Sequence, residues 1–362
     1  MYNKVIAFNV GCGDCSILQD ERNGMLIDYG GKSSKVNNVL LDVKKILSPC
    51  IEKNLMVSHL HKDHYCGIVK LANNVTFKHI YLPDYICGDG LYILACSLLV
   101  RTDSIIKQVK QILSIPKIFF NNGLINYNSD IRLLVGGDTF VNSLGEFEVL
   151  LPNVYKSNLP RSLLDKIYNN KIIKTFVEMY RKFLKDLIEF RNFDKFNENY
   201  EIIENYIEFS FDEVTELFNL NEINNIKKEF KNYHNNLSIV FQNKECSNKN
   251  VLFCGDAIAS AISSINHKLY NEYAVIKIPH HGTGSKYYFN NFPISNNFLI
   301  FNDYGTNCSK ISCQYDNKYG LKTRFFCTNK HCVKIENKCF CSTLNLNNAI
   351  CGFNNNYEII NI

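Results

Sequence analysis

Alternating and continuous apolar segments along the chain predict a mixed α/β protein. Lys4 to Asn9 alternates and is rich in β-forming residues, which predicts a first strand. Two more strands are predicted on either side of a turn at Asn23-Gly24. Helical spacing of apolar residues predicts helices at residues 35–47 and 91–113. Further short apolar runs predict strands at residues 55–57, 78–82, 117–120, 131–134, 147–151, 239–241, 251–254 and 276–278.

Two of these strands are expected to form a hairpin. Residues 131–134 and 147–151 bracket Gly136-Gly137-Asp138, a sequence that favours a reversal of the chain.

The segment 153–233 differs from the residues on both sides of it. It is rich in Lys, Glu, Asn, Phe and Ile and has almost no glycine, and apolar residues recur at helical spacing over residues 163–190 and 200–230. We interpret it as an all-helical insertion that divides one domain into residues 1–152 and 234–362. We expect a decoration with a small core of its own, whose removal leaves the domain folded. A lid over the active site and a surface for a protein partner are the alternatives.

Composition excludes a disordered chain and a membrane-spanning one. The 362 residues are 46% hydrophobic and 13% aromatic, enough for a substantial core. The net charge of +5 permits anionic substrates without demanding nucleic acid. The most apolar window, residues 91–100, is about half of the roughly 20 residues that a bilayer-spanning helix needs. The first residues lack the layout of a signal peptide, so a soluble, cytoplasmic protein with no membrane partner is expected.

Cysteine is abundant near the C-terminus. The chain has 15 cysteines, an odd number, and without a secretion signal we expect reduced thiols. Cys327, Cys332, Cys339 and Cys341 could form a small zinc knot, although their spacing is not that of a common zinc ribbon.

The densest cluster of chemically useful residues follows the apolar run Leu55-Met56-Val57. His59, His61, Asp63 and His64 fall within six residues in an H-x-H-x-D-H pattern. Imidazole and carboxylate are ligands that zinc and similar divalent metals prefer. In an extended backbone, His59 and His61 point the same way, and the chain must turn to bring Asp63 and His64 to a second position. This pattern favours two adjacent metal ions, one for each pair.

The H-x-H-x-D-H pattern resembles the signature of the metallo-β-lactamase superfamily. That resemblance implies a four-layer αββα sandwich. Two segments ahead of the motif, V-G-x-G-D ending at Asp14 and L-I-D-x-G containing Asp28, are similar to the metallo-hydrolase domain of ComEC-type competence proteins. Cys12 departs from the glutamine usual in that family. The resemblance covers residues 1–152 and 235–330 as the two halves of one domain. Asp28 could orient a ligand histidine or cap its own turn.

The second half of the chain supplies the remaining ligands that the resemblance implies. Asp256 follows a buried strand and Gly255, and the superfamily's aspartate at this point bridges both metals; capping the following helix is the alternative. The segment Pro279-His280-His281-Gly282 is similar to the family's P-H-H-G-S, with Thr283 in place of the serine. We assign His281 to the second metal and His280 to the substrate, and the two roles could be exchanged.

One further histidine is expected between the first motif and Asp256. His234 stands four residues before Ser238, where superfamily hydrolases place a ligand. Asn235 could take that role instead, as in ComEC-type sequences, and His79 is the other histidine in the interval.

Together the residues and the resemblance predict a metal-dependent hydrolase with two divalent ions, zinc or manganese. The ions and Asp256 would hold a bridging hydroxide that attacks the substrate. Asp63 would hold or accept a proton of the attacking water, and His280 would donate to the leaving oxygen. The ComEC-type resemblance favours a phosphodiesterase or nuclease acting on DNA, RNA or nucleotides, with phosphate contacts from nearby lysines: Lys62, Lys277 and Lys286. Alternatives are a small phosphodiester, a carbon ester or thioester, and a non-catalytic metal protein that binds a partner through its helices.

Overall fold

Two β-sheets face each other in the structure, a computed structural model that describes residues 2–71, 74–99, 109–110, 113–115, 117–119, 121–126, 128–189, 196–209, 217–244, 248–282, 292–301, 323–328, 349–351, 353 and 356–362. The first sheet has seven strands, in the order β15-β1-β2-β3-β4-β5-β6. They are β1 (Lys4–Phe8), β2 (Cys15–Gln19), β3 (Asn23–Tyr29), β4 (Glu52–Met56), β5 (His79–Pro83), β6 (Asp130–Leu134) and β15 (Tyr357–Asn361).

The second sheet has eight strands, in the order β14-β13-β12-β11-β10-β9-β8-β7. They are β7 (Thr139–Asn142), β8 (Gly145–Leu151), β9 (Val240–Asn243), β10 (Val251–Phe253), β11 (Glu272–Lys277), β12 (Ile294–Ile300), β13 (Arg324–Cys327) and β14 (Ala349–Cys351).

Helices cover the outer faces of both sheets. They are α1 (Ser33–Leu47), α2 (Lys62–Tyr65), α3 (Gly90–Leu99), α4 (Arg161–Asn169), α5 (Lys171–Glu189), α6 (Phe196–Phe209), α7 (Leu220–Asn236) and α8 (Ala259–Ser264). Short 3₁₀ turns lie at Ile68–Leu71, Asn266–Lys268 and His280–Gly282. Among the described residues, none of these helices combines the length and apolarity needed to cross a bilayer.

Strand alternation produces the layers. In β1, Ile6 and Phe8 pack outward with the helices around α1 and α3, whereas Val5 and Ala7 pack inward between the sheets. In β12, Phe298 and Ile300 pack outward with α8, while Leu299 faces the other sheet. Three apolar layers therefore separate helix, sheet, sheet and helix. The predicted four-layer αββα sandwich is confirmed.

Two local predictions were wrong. Residues 117–119 are helical rather than extended. The expected hairpin does not form, because β6 lies at the edge of the first sheet and β8 lies in the second. The chain crosses between the sheets near Gly136, and the hairpin of this region is β7–β8 instead. A turn sequence predicts a change of direction, but it does not say whether the chain returns to the same sheet.

The inserted helices share the core of the domain. Buried residues of α4, α5 and α7, among them Ile167, Phe176 and Phe230, belong to the same apolar cluster as α3 and the outer face of the first sheet. Polar contacts join them as well: the Tyr233 hydroxyl of α7 donates to the Tyr85 carbonyl at 2.5 Å. The expectation of a separate small core was therefore wrong, while the division at residues 152–153 and 233–234 stays a proposal.

Candidate metal centre

The candidate ligands lie where parallel strands end. β3, β4 and β5 run parallel in the first sheet, and β10 to β14 run parallel in the second. His59 follows the carboxyl end of β4, Asp256 follows β10, and His281 follows β11. Because the carboxyl ends of neighbouring parallel strands share an edge, the topology brings the two halves of the sequence to one place.

Two glycines allow the H-x-H-x-D-H loop to pack against the loops around β2 and β3. A Cβ on Gly30 would lie 2.4 Å from the Asp63 carbonyl carbon, and one on Gly13 would lie 2.7 Å from the Asp63 oxygen. The Asp14 amide donates to the same oxygen at 3.2 Å. The glycine-rich segments near residues 13 and 30 therefore hold the start of α2, which carries Asp63 and His64, in position.

His64 stands at the centre of the candidate ligands. Its Nε2 lies 3.5 Å from Asp256 Oδ1, and His59 Nε2 lies 3.9 Å from Asp256 Oδ2. His281 Nε2 lies 3.4 Å from both Asp256 Oδ2 and Asp63 Oδ2. His59, His64 and Asp256 form one group with metal-binding potential, and Asp63, His64 and His281 form another. Asp256 contacts members of both groups.

His61 completes the first group by its position. Its Nδ1 lies 3.0 Å from His59 Nε2. Two Zn–N bonds of about 2.0–2.1 Å can span that separation. His59 and His61 flank Leu60 in the bend that follows β4, so their rings converge through a turn of the chain rather than through the extended backbone that the sequence predicted.

Asp28 organises the site from behind. Its carboxylate accepts hydrogen bonds from the Ser58 amide at 2.7 Å and the Ser58 hydroxyl at 2.6 Å. Its Oδ2 lies 2.8 Å from His64 Nδ1, which leaves His64 Nε2 to face Asp256. Of the two roles predicted for Asp28, the contacts fit the orientation of a ligand histidine.

Burial and mutual contact shift the ionisation of these groups. Burial and the neighbouring His64 lower the pKa of His59 well below its ordinary value, which keeps a neutral, metal-binding imidazole. Burial lowers the pKa of His64 too, but the Asp256 and Asp28 carboxylates outweigh it and raise that pKa well above its ordinary value. Burial raises the pKa of Asp63, and hydrogen bonding to His281 reverses this and brings it to about 2.

The donor set fits a divalent metal. Asp256 Oδ1 and His64 Nε2 are buried, and neither has a hydrogen-bond partner within the described part of the chain. Unsatisfied buried polar atoms cost free energy, and an ion between them would remove that cost. Nitrogen and oxygen donors at this density suit zinc or manganese.

Lys277 and Asp14 lie deeper than the sequence suggested. Lys277 was predicted to meet a substrate phosphate, but it is 3% exposed, forms an ion pair with Asp14 and donates to the Gly255 carbonyl at 2.7 Å. It therefore cannot reach a substrate. Strand alternation could have revealed this, because Val275 faces the space between the sheets and Lys277, two residues later, faces the same way.

The two consecutive histidines occupy different environments. His281 is buried among carboxylates, and its Nδ1 lies 3.1 Å from the Phe301 carbonyl. His280 is half-buried, and burial lowers its pKa. Both have positive φ angles, 50° for His280 and 54° for His281. Left-handed backbone in two adjacent non-glycine residues stores strain, a feature concentrated at functional sites.

The three candidates for a further ligand lie on two elements, α7 and β5. His234 and Asn235 lie in α7, but their side chains are outside the described residues. His79 lies in β5, where its Nδ1 is 3.3 Å from Asp130 Oδ2, and it is not in either group. Ser238, which sequence reasoning used only as a landmark, accepts a hydrogen bond from the Asp256 amide at 3.2 Å.

Several predicted features fall outside the described residues. They are Thr283 and Lys286 beyond the His-His-Gly segment, and Cys332, Cys339 and Cys341 of the suggested zinc knot. Cys327 is described and buried in β13.

Comparison with solved structures gives distant likenesses, three of which follow. A mutant of CmlA beta-hydroxylase is 9% identical with a TM-score of 0.35; the match covers 83% of this chain and 46% of that one, so the chain spans about half its length. An isothiocyanate hydrolase from Delia radicum gut bacteria is 10% identical with a TM-score of 0.37, covering 99% of this chain and 100% of that chain. Zn²⁺-bound PqqB from Methylobacterium extorquens is 9% identical with a TM-score of 0.40, covering 98% and 99%.

Searches by sequence give no match, either to a protein-family model or to a curated protein. None of the three structures is described as a ComEC-type protein. At this level of similarity they carry no argument about activity, which has to come from the site itself.

Proposed function

We propose that the protein is a metal-dependent hydrolase with two divalent ions, and that it cleaves phosphodiesters in nucleic acid or nucleotides. The observation that supports it is the convergence of imidazoles and carboxylates from three loops, with buried donor atoms left unsatisfied at the centre. His59, His61 and Asp256 would hold one ion. Asp63, His64 and His281 would hold the other, with Asp256 contacting both.

Divalent ions in such a site lower the pKa of a bound water from about 15.7 towards about 7 and polarise substrate oxygens. The chain's own residues would position the reactants. Asp63, whose pKa is held at about 2, stays ionised at neutral pH and can accept a hydrogen bond from a water. The half-buried His280 can donate its ring N–H to a substrate oxygen at the mouth of the site.

The preference for phosphodiesters rests on the ComEC-type segments and on the exposed Lys62. Lys62 directly precedes Asp63 at the start of α2 and is exposed, so its ammonium can meet an anionic substrate. The site would thus combine a metal pair for the scissile phosphate with an exposed cation beside it.

A substrate screen tests the proposal. The purified protein, loaded with zinc or manganese, is offered bis(p-nitrophenyl) phosphate, single-stranded DNA, RNA, a thioester and nitrocefin. We expect turnover of the phosphodiesters, and a loss of at least about 100-fold in Asp256→Asn, because that variant weakens the contact with both ions. His267→Ala, which changes an exposed histidine away from the site, is the matched control and should retain full activity.

Other outcomes would contradict the proposal in different ways. Turnover of only the thioester or nitrocefin would identify a hydrolase of thioesters or lactams. Two bound ions per chain without any turnover would favour a non-catalytic metal protein.

A further inference from the structure

A buried ammonium lies directly beneath the candidate metal ligands. Lys277 is the last residue of β11, and its Nζ is 3.7 Å from Asp256 Oδ1 while it pairs with Asp14 and donates to Gly255. A lysine is rarely buried to this extent unless its charge is compensated. Its position next to Asp256, which contacts members of both groups, links it to metal binding.

Asp14 connects this ammonium to the histidines. Its Oδ2 lies 3.7 Å from His64 Nδ1, and its Oδ1 lies 3.5 Å from His281 Nδ1. Asp14, Asp28 and His64 form a third group of buried ligand atoms, all within 4.8 Å of one another. A small cavity beside them is lined by Asp14, Ser16, Asp28, Ser58 and Lys277.

We propose that Lys277 is a resident cation of this centre and a positioning residue. Its ammonium balances the charge of Asp14, a member of the third group, and thereby limits how tightly the two outer groups bind divalent ions. The outer groups are His59, His64 and Asp256, and Asp63, His64 and His281. The ammonium lies 3.7 Å from Asp256 Oδ1 and repels a metal cation that approaches this carboxylate. The Asp14 carboxylate attracts the same cation, so the charges of Lys277 and Asp14 offset each other. In a buried site these interactions are screened far less than in water. This inference rests on the proposed function only in requiring that the outer groups bind metal.

Opposite effects of two single variants test the inference. Lys277→Met removes the repelling charge and keeps the length of the side chain, so zinc should bind at least about tenfold more tightly. Asp14→Asn leaves the ammonium unbalanced, so zinc should bind at least about tenfold more weakly. In the double variant, which removes both charges, affinity should return to within about threefold of wild type. Affinity is measured by competition with a zinc chelator and stoichiometry by elemental analysis, with no substrate present.

A merely structural role for the pair gives a different result. If Lys277 and Asp14 only support the backbone, both single variants bind zinc more weakly and the double variant does not recover, which would overturn the inference. Lys277→Arg keeps the charge and should stay within about threefold of wild type. If Lys277→Met does not fold, Asp14→Asn and the double variant still decide: no recovery in the double variant overturns the inference.

The same experiment separates this inference from the proposed function. If the wild type binds zinc and both single variants change the zinc affinity in the same direction, the role of Lys277 is overturned and the hydrolase proposal remains. If the two variants change the affinity in opposite directions but the wild type cleaves none of the substrates, the hydrolase proposal is overturned and the role of Lys277 remains. A wild type that binds no zinc or manganese would overturn both.

Discussion

Asp28 makes several of the contacts that organise the candidate metal centre. It has a φ of 55°, is 1% exposed, and holds both Ser58 and His64 through one carboxylate. Left-handed backbone is less costly for aspartate than for most residues, so the turn of D-x-G and the aim of the side chain arise together. A single residue therefore fixes both the loop after β4 and the orientation of His64, a candidate ligand.

Replacing Asp28 should weaken metal binding, although Asp28 is not one of the proposed ligands. We expect Asp28→Asn to weaken zinc binding about 10- to 100-fold, because His64 loses the carboxylate that fixes its ring. Chelator competition measures the affinity. Asp130→Asn is the matched control, since Asp130 pairs with His79 in the same manner at the edge strand β6, and it should leave zinc affinity unchanged. Equal losses in both variants would refute the role of Asp28.

Some residues of the candidate site could be predicted from the sequence, and others could not. The H-x-H-x-D-H motif, Asp256 and His281 could be named in advance because their spacing or resemblance carries the chemistry. Lys277 was assigned to a substrate phosphate because lysine is usually solvated; strand alternation points its side chain between the sheets, but its burial depends on the packing of the second sheet against the first. The pairing of Lys277 with Asp14 depends on contacts between residues far apart in the chain, which no local pattern encodes.

Among the elements, Glu52 of β4 joins the two sheets by polar contacts. Its carboxylate accepts hydrogen bonds from Lys78 at 2.6 Å and from the Ser143 amide at 3.0 Å, the latter in the turn between β7 and β8 of the second sheet. Burial raises the pKa of Glu52, but these hydrogen bonds outweigh it and lower the pKa to about 2.

The lowered pKa predicts a stability contribution that depends on pH. A carboxyl group whose folded pKa is depressed stabilises the protein above its unfolded pKa of about 4.3 and loses that contribution as the pH falls through about 2. Glu52→Gln should therefore cost about 1–3 kcal/mol of unfolding free energy near pH 7, and the cost should shrink towards pH 2. Urea unfolding of the metal-free proteins at both pH values measures it.

A surface ion pair supplies the control for this prediction. Glu146 pairs with Lys244 at 2.8 Å, but the two side chains are 38% and 70% exposed. Glu146→Gln should change stability by less than about 1 kcal/mol at either pH. A loss in Glu52→Gln that does not vary with pH would contradict the assigned pKa.

Element by element, periodicity predicted most of the strands and helices, and it failed where connections matter. The strands around Gly136 were expected at nearly the observed positions, but their assignment to one hairpin was wrong because they belong to different sheets. Local pattern fixes the type of an element, whereas the sheet that it joins depends on which apolar face it can bury.

The inserted helices contribute buried side chains to the main core of the protein. Phe230 of α7 is fully buried in the cluster that includes α3 and the first sheet, whereas Leu220 of the same helix is 72% exposed. The sequence predicted helices here but not their packing partner, because an amphipathic helix does not specify the surface that covers its apolar face.

Truncation of α7 tests that shared core. Phe230→Ala should lower the unfolding free energy by about 3–5 kcal/mol, since it leaves a cavity. Leu220→Ala should cost less than about 0.5 kcal/mol. Denaturant unfolding measures both, and a single transition that shifts as a whole in Phe230→Ala would indicate one cooperative unit. Loss of the helical signal alone, with the remainder unfolding as in wild type, would support the separate core that the structure argues against. By the same reasoning, deleting residues 161–236 should yield an unfolded product.

His59 to His64 emerge from one sheet, and Asp256 and His281 emerge from the other. A metal ion bound by residues from both sheets would link the two sheets, and with them segments that lie far apart in the sequence. The candidate centre therefore cannot form until residue 281 has been synthesised and the two sheets have packed together.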